Sequence, residues 1–489
     1  MTVKQKKVFL VTGSIIAFLI FVIIASVHFI DFNNYKPRIE AAASDALKMD
    51  FRIKGKIGIA LFPDFGVSLE NVFVKNRGVE FISANQVRIG LKVIPIIIRR
   101  EIQISKFELI KPLFYIERDK SGKFNFEQPG QKSKKQKEFP AALLKVGKFI
   151  ISKGGLVYSD KRSGNKTELK GFDLKIAGLS FNASRGQDLL QKISFGGDFK
   201  CEVIKTRDFE VSNLMFVITG KDGIFNINPI TMKFFGGDEK GSIQADITGE
   251  IPLFKIKYTA SKFRFEKFLK TLSQKNIIKG EMDFSLNFTT RGKNLEELKR
   301  RINGETSLRG ENLLLCSFDL DSLLSKIEKS RSFSLVDAGA FFLVGPLGTA
   351  LTKGYDFAGV YKETRGGEGI VRRLVSEWKV KNSVAEAEDV ALATKRNRIA
   401  LKGRLDFIKK RFDNVTVAAL DERGCAKFSQ KIRGPFRNPE VDKISYLESI
   451  VSPVLQLFEG AKGFFEKGKC EIFYTGSIRN NVCGSGRFL

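Results

Sequence analysis

Met282-Asp283-Phe284-Ser285-Leu286-Asn287-Phe288 alternates an apolar with a polar side chain at every step. A two-residue period puts Met282, Phe284, Leu286 and Phe288 on one face, with Asp283, Ser285 and Asn287 opposite. That is the pattern of a half-buried strand. The same period recurs on both sides of this stretch. Phe254, Ile256, Tyr258 and Ala260 carry it, as do Ile243, Ala245 and Ile247, and Leu214, Phe216 and Ile218. Val87, Ile89, Leu91 and Val93 repeat it near the start; Ile399 with Leu401, and Leu405 with Phe407, repeat it near the end. Turn-forming clusters separate the runs: Asp119 to Gly122, Ser163 to Lys166, Lys221 to Gly223 and Gly236 to Asp238. Short strands repeated this closely predict a mainly β, mostly antiparallel chain. The apolar face either lines an open groove or closes into a sandwich core.

Helical patterns are few. Candidates are Tyr35 to Leu47, Phe265 to Leu272, Asn294 to Arg301, Asp319 to Lys329 and Ser445 to Phe465. Asp319 and Asp321 flank a helix start, where carboxylates favour the positive end of the helix dipole. Residues 128–140 contain Pro129, Gly130 and four lysines and read as a basic linker or long loop. The expected organisation is a tail at 1–7, an anchor at 8–30 and a β region at 31–127. The linker follows, then a repetitive β region at 141–440 and a helical segment with a tail at 441–489.

Residues Val8 to Ile30 hold no Asp, Glu, Lys or Arg. As a helix they would extend about 34 Å at 1.5 Å per residue, enough for a hydrocarbon core of about 30 Å. Lys4, Lys6 and Lys7 precede them, which favours a cytoplasmic N-terminus. The run is too long for an ordinary signal-peptide core and no A-x-A site closes it, so an uncleaved single-pass signal-anchor is predicted. The chain from Asp31 on is then exported.

Composition narrows the chemistry. The chain has 489 residues, one His and a formal charge of +29. A single histidine excludes metal sites built on several histidines, and His28 lies inside the apolar run, away from any exported Ser-His-Asp or Cys-His site. No P-loop and no G-x-S-x-G elbow occurs, so no enzyme, cofactor or metal is expected. The basic charge lacks a nucleic-acid-binding motif, and an exported chain is poorly placed to meet nucleic acid. Five cysteines are widely spaced; Cys470 and Cys483 could close a short loop, or all could be buried thiols.

Ordered motifs then carry a resemblance. Asp31-Phe32-Asn33-Asn34-Tyr35-Lys36-Pro37 follows the apolar run, then Ile53-Lys54-Gly55-Lys56-Ile57, Leu61-Phe62-Pro63 and Val67-Ser68-Leu69-Glu70-Asn71-Val72. Ile94-Pro95-Ile96, Lys111-Pro112, Asp119-Lys120-Ser121-Gly122-Lys123-Phe124-Asn125-Phe126 and Gly155-Leu156-Val157-Tyr158 continue the series. Phe235-Gly236-Gly237, Ile278-Lys279-Gly280, Ile302-Asn303-Gly304 and Gly434-Pro435-Phe436-Arg437-Asn438-Pro439 extend it. In this order they resemble the AsmA-like family. The resemblance implies an inner-membrane anchor holding an elongated, curved periplasmic β-sheet. It implies a role in lipid transport and outer-membrane lipid homeostasis, with phospholipid or another envelope lipid on an apolar β-groove. The alternative it implies is a scaffold for outer-membrane protein assembly, working with an assembly or lipid-transport partner. The candidate groove lining is Leu214, Phe216, Ile218, Ile243, Ile247, Phe254, Ile256, Met282, Phe284, Leu286 and Phe288. In that setting the positive charge suits anionic phospholipid.

Overall fold

The computed structural model describes residues 31–60, 65–99, 103–127, 147–181, 189–272, 278–316, 319–322, 324–325, 367–436, 438–446 and 472–478. The chain divides into two compact units, Met1–Gly223 and Ile224–Leu489.

The first unit opens with a 3-10 turn, Phe32–Tyr35, and helix α1, Lys36–Leu47. Asp31 accepts the Asn33 amide at 3.0 Å, and the Asn33 side-chain oxygen accepts the Ile57 N–H at 3.1 Å. The opening motif therefore ties the start of the described chain to the sheet. Pro37 sits in the first turn of α1, where its missing N–H has no partner to lose. β1 (Asp50–Ile53) and β2 (Ile57–Ala60) both pair with β3 (Gly66–Asn76). β4 (Val79–Leu91) follows, then helix α2 (Val93–Arg99) and β5 (Ile104–Arg118). β6 (Lys148–Asp160), β7 (Asn165–Phe181), helix α3 (Leu189–Lys192), β8 (Ile193–Lys205) and β9 (Glu210–Lys221) complete the unit. From β2 onward, neighbours in the chain are neighbours in the sheet. All pair antiparallel except β5 and β6, which run parallel. A parallel pair needs a return crossing of a dozen or more residues, and the chain between Arg118 and Lys148 supplies that length. The predicted linker, 128–140, lies in it and outside the described residues.

The Asp119-to-Phe126 motif is a turn built from its own side chains. Asp119 accepts the Ser121 hydroxyl at 2.6 Å and the Lys123 amide at 2.9 Å, and Gly122 takes φ +91. Asn125 donates to the Tyr115 carbonyl at 2.7 Å, and Phe124 stacks on Phe126 at 5.1 Å.

The second unit is an antiparallel sheet in chain order. It begins with β10 (Ile224–Phe234), β11 (Gly237–Asp246) and β12 (Leu253–Arg264). Helix α4 (Phe265–Leu272) buries Phe265 and Leu269, four residues apart on one face. β13 (Ile278–Lys279) and β14 (Glu281–Arg291) lie end to end along β15 (Asn303–Leu315), with Gly280 between them. Helix α5 (Leu295–Arg300) starts at Asn294, whose side chain accepts the Glu297 amide at 2.9 Å. β16 (Gly369–Lys381), β17 (Val384–Ala393), β18 (Arg398–Asp406), β19 (Arg411–Leu420) and β20 (Ala426–Pro435) extend the sheet. β21 (Glu440–Val441) and β22 (Ser445–Tyr446) both pair with β20.

Several local expectations change. Val93 does not continue the strand; β4 ends at Leu91 and Val93 opens α2, with Pro95 fitting the first helical turn. Ser445 and Tyr446 are strand rather than helix, because they satisfy the ladder groups of Ser429 and Phe428. Cys425 is disulfide-bonded, a bond that cysteine spacing did not suggest, while Cys201 and Cys316 are free. Cys470 and Cys483 lie outside the described residues, as does the predicted anchor, Val8 to Ile30. Among the described residues no helix is long and apolar enough to cross a membrane.

Candidate functional site

Directly paired residues point to the same side of a sheet, so the registers show which side chains share a face. In the first unit one row runs Ile57, Leu69, Val87, Leu109, Ile151, Leu174, Phe199 and Phe216, one residue from each of β2 to β9. The next row runs Ile59, Val67, Ile89, Phe107, Phe149, Ile176, Gly197 and Ile218. Sixteen positions in two rows hold fifteen apolar side chains and one glycine. Phe107 stacks on Phe149 at 5.8 Å and Phe199 on Phe216 at 4.9 Å. The opposite face of the same strands carries exposed Asp173, Lys175, Asp198 and Lys200.

Cover on this face is uneven. Phe32 and Ile39, from the opening turn and α1, pack on the cluster of Ile53, Ile57, Leu69 and Val87. Farther on, Leu174, Ile176, Phe199, Phe216 and Ile218 remain half-exposed. A large apolar surface left in this state marks a binding surface more often than a finished core.

The second unit shows the same change in the opposite direction along the chain. One row runs Ile227, Ile243, Ile256, Phe288, Gly304, Val380, Ala385, Leu405 and Phe412. Ile227, Ile243, Ile256 and Phe288 are half-exposed, whereas Ala385 and Leu405 are 0% exposed. From β16 to β20 both faces bury side chains. Trp378, Leu392 and Leu405 lie in one cluster; Val375, Ala391 and Ala400 join Tyr474 and Ile478 in another. The half-buried row on β10 to β12 therefore grades into a closed core, to which β12 and β14 already contribute Ala260, Phe263 and Met282. Leu405→Ala is expected to cost about 2–5 kcal/mol. Ile256→Ala, at a position only partly buried, is expected to cost about 1 kcal/mol. Denaturant midpoints of the two variants measure the contrast.

The predicted lining falls into place unevenly. Ile243, Ile256 and Phe288 meet in the row just described. Leu286 lies opposite Tyr258, Phe284 opposite Ala260, and Phe254 opposite Ala245 and Thr290. Ile247 follows the end of β11. Leu214, Phe216 and Ile218 belong to the first unit's face, Leu214 against Cys201. Met282 is 2% exposed and packs in the closed cluster with Phe263. Leu174, Ile176, Phe199, Phe107 and Phe149 complete the first unit's rows and were not among the expected residues. Their alternation is present in the sequence but interrupted by Gly154, Gly171 and Gly197.

One polar pair interrupts the apolar face of the second unit. Glu239 stands in register with Ala260, and Tyr258, in register with Gly241, donates its hydroxyl to the Glu239 carboxylate. Glu239 is 2% exposed, and burial pushes its carboxyl up to about 7, against the opposing pull of the Tyr258 hydrogen bond. Burial and the neighbouring carboxylate raise the Tyr258 phenol as well. The sign follows directly. As pH rises from about 4.5 to about 7 the unfolded chain releases a proton that the folded chain keeps, so stability falls through that window. Glu239→Gln should remove that slope and gain about 3 kcal/mol above pH 7. Denaturation of wild type and variant across pH 4–8 checks this.

Asp319 and Asp321 serve structure. Asp319 accepts the Asp321 amide at 3.0 Å and the Ser322 hydroxyl at 2.7 Å, as a helix cap does. Asp321 accepts Asn397 at 2.7 Å and the Thr394 hydroxyl, bracing the β17–β18 turn. Among the described residues no group of three or more His, Cys, Asp and Glu could hold a metal ion.

The sequence profile of the AsmA family matches residues 1–187 and again 183–341. The chain belongs to the AsmA family. The two successive matches take in the half-exposed strands of both units and end before β16. In this AsmA protein the matched residues hold the half-buried rows and also part of the closed cluster, from Ala260 to Leu324, while strands β16–β20 lie beyond them. The Gly434-to-Pro439 resemblance also lies beyond the matched residues. No curated protein and no solved structure matches the chain.

Proposed function

We propose that this AsmA protein binds phospholipid, or another envelope lipid, on its half-exposed apolar β-faces and supports outer-membrane lipid homeostasis without catalysing a reaction. The observation that carries the reading is the pair of eight-strand rows from Ile57 to Phe216 and Ile59 to Ile218, half-exposed at their β7–β9 end. An acyl chain leaving water gains about 0.8 kcal/mol per buried CH₂. A row of Leu, Ile and Phe gives that gain at every step without a specific polar contact.

The reading places residues 8–30 in the inner membrane, the N-terminus in the cytoplasm and the bulk of the chain in the periplasm. The uncharged run and Lys4, Lys6 and Lys7 support this orientation. The Cys425 disulfide supports an oxidising compartment. No ATPase motif occurs in the sequence, so directional movement needs an envelope partner or a gradient.

Gentle extraction of the full chain followed by native mass spectrometry tests the reading. The expected result is co-purifying phospholipid, displaced by excess detergent. Lipid-free protein that also fails to take up added phospholipid would remove it, and assembly partners recovered in place of lipid would favour the scaffold role.

A further inference from the structure

Helix α2 (Val93–Arg99) is a short apolar helix with exposed side chains at both of its ends. Ile94 is 71% exposed, Ile98 74% and Val93 45%. Ile94 and Ile98, four residues apart, stand one above the other on a single helix face. Scattered exposed isoleucines are ordinary, but adjacent ones this bare on one helix mark a docking element.

The flanks identify what it docks on. Exposed Lys92 and Arg99 bracket the helix, and the sequence continues with Arg100; no acidic residue occurs between Lys92 and Arg100. Apolar side chains at the tip and cations at the edges suit an anionic phospholipid surface, with isoleucines in the acyl boundary and cations on phosphates. Position agrees. β4 delivers α2 at the sheet end where Leu91 pairs with Ile104 and Ala60 pairs with Gly66. Ile57, at the other end of four-residue β2, is bonded to Asn33, just after the apolar run. The Leu91 amide bonds the Phe65 carbonyl at 2.7 Å and the Lys92 amide the Gln103 carbonyl at 2.9 Å, so the base of α2 is fixed to the sheet.

We propose that α2 inserts Ile94 and Ile98 into the surface of the anionic bilayer that holds the chain, giving the β-structure a second membrane contact. The proposal takes the membrane-anchored orientation from the functional reading, but does not depend on lipid occupying the β-faces.

The test uses the full chain in proteoliposomes of phosphatidylglycerol and phosphatidylcholine. The protein has one tryptophan, Trp378, 1% exposed, which gives a constant background. Ile98→Trp adds a reporter at an exposed position, and far-UV circular dichroism checks the fold. The expected result is blue-shifted emission, quenched at least twofold by brominated acyl chains. Adding Lys92→Glu and Arg99→Glu should reduce the quenching. Val79→Trp, 57% exposed at the opposite end of β4, should stay unquenched. Water-like, unquenched emission from Ile98→Trp overturns the proposal. So does equal quenching at position 79, which would mean general adsorption. A photo-crosslinker at position 98 that captures protein and no lipid in cells overturns it as well. Loss of crosslinks on the β-faces, with quenching at position 98 retained, would remove the groove reading alone.

Discussion

Phe199→Asp is expected to leave the sheet folded and to lower phospholipid affinity about 100-fold. Phe199 stands in the long row of the first unit, 6.1 Å from Phe172 and 4.9 Å from Phe216, and it is half-exposed. A carboxylate there reaches water, so folding does not have to bury a charge. An acyl chain crossing the row loses its contact with Phe199 and must avoid a charge on either side. If four CH₂ groups return to water, the loss is about 3 kcal/mol, or about 100-fold in Kd. Phe199→Leu keeps the face apolar and should bind within a few-fold of wild type. Fluorescent-lipid titration of the full chain in mild detergent, with circular dichroism as the fold control, measures both. Equal affinity for wild type and Phe199→Asp would mean that lipid, if bound, lies elsewhere.

Gly304→Ala is expected to destabilise the second unit by about 3 kcal/mol, a cost comparable to that of emptying a core site. Gly304 takes φ +142, a conformation that side chains with a Cβ rarely adopt. A Cβ there would sit 1.9 Å from the Asn287 carbonyl oxygen, which is backbone and cannot swing aside. The position lies opposite Phe288 on one side and Val380 on the other, where the half-exposed surface turns into closed core. Loss of this pairing should therefore expose both. Gly249→Ala is the control, because nothing lies within 4 Å of its Cβ position; it should change stability by less than about 0.5 kcal/mol. The two variants' denaturant midpoints decide the matter.

Much of the fold was legible because a period of two is a direct record of which side chains face water. The Met282-to-Phe288 stretch and its relatives announced antiparallel β, and Phe265 to Leu272 and Asn294 to Arg301 announced helices that form. The parallel β5–β6 pair was not legible, since nothing in Phe149-Ile150-Ile151 encodes the direction of a neighbour; the long connection before it was the only trace. Open and closed faces were not separable either. Ile256 and Leu405 sit in equivalent alternating runs, yet one is only partly buried and the other fully buried. Cover comes from other elements, and local periodicity carries no record of it. Glu239 was missed because its run, Gly237-Asp238-Glu239-Lys240-Gly241, reads as a polar turn, whereas pairing with β12 turns it toward the apolar face.

If the apolar β-faces of this AsmA protein are open to acyl chains, lipid lies against them in the cell. Site-specific photo-crosslinking in living cells tests it most directly, with the crosslinker placed in the full chain at Phe216, Ile256 and Leu405. Phospholipid adducts are expected at positions 216 and 256, which are partly buried, and none at 405, which is 0% exposed. Folded, membrane-anchored protein with no lipid adduct at either open position would contradict it.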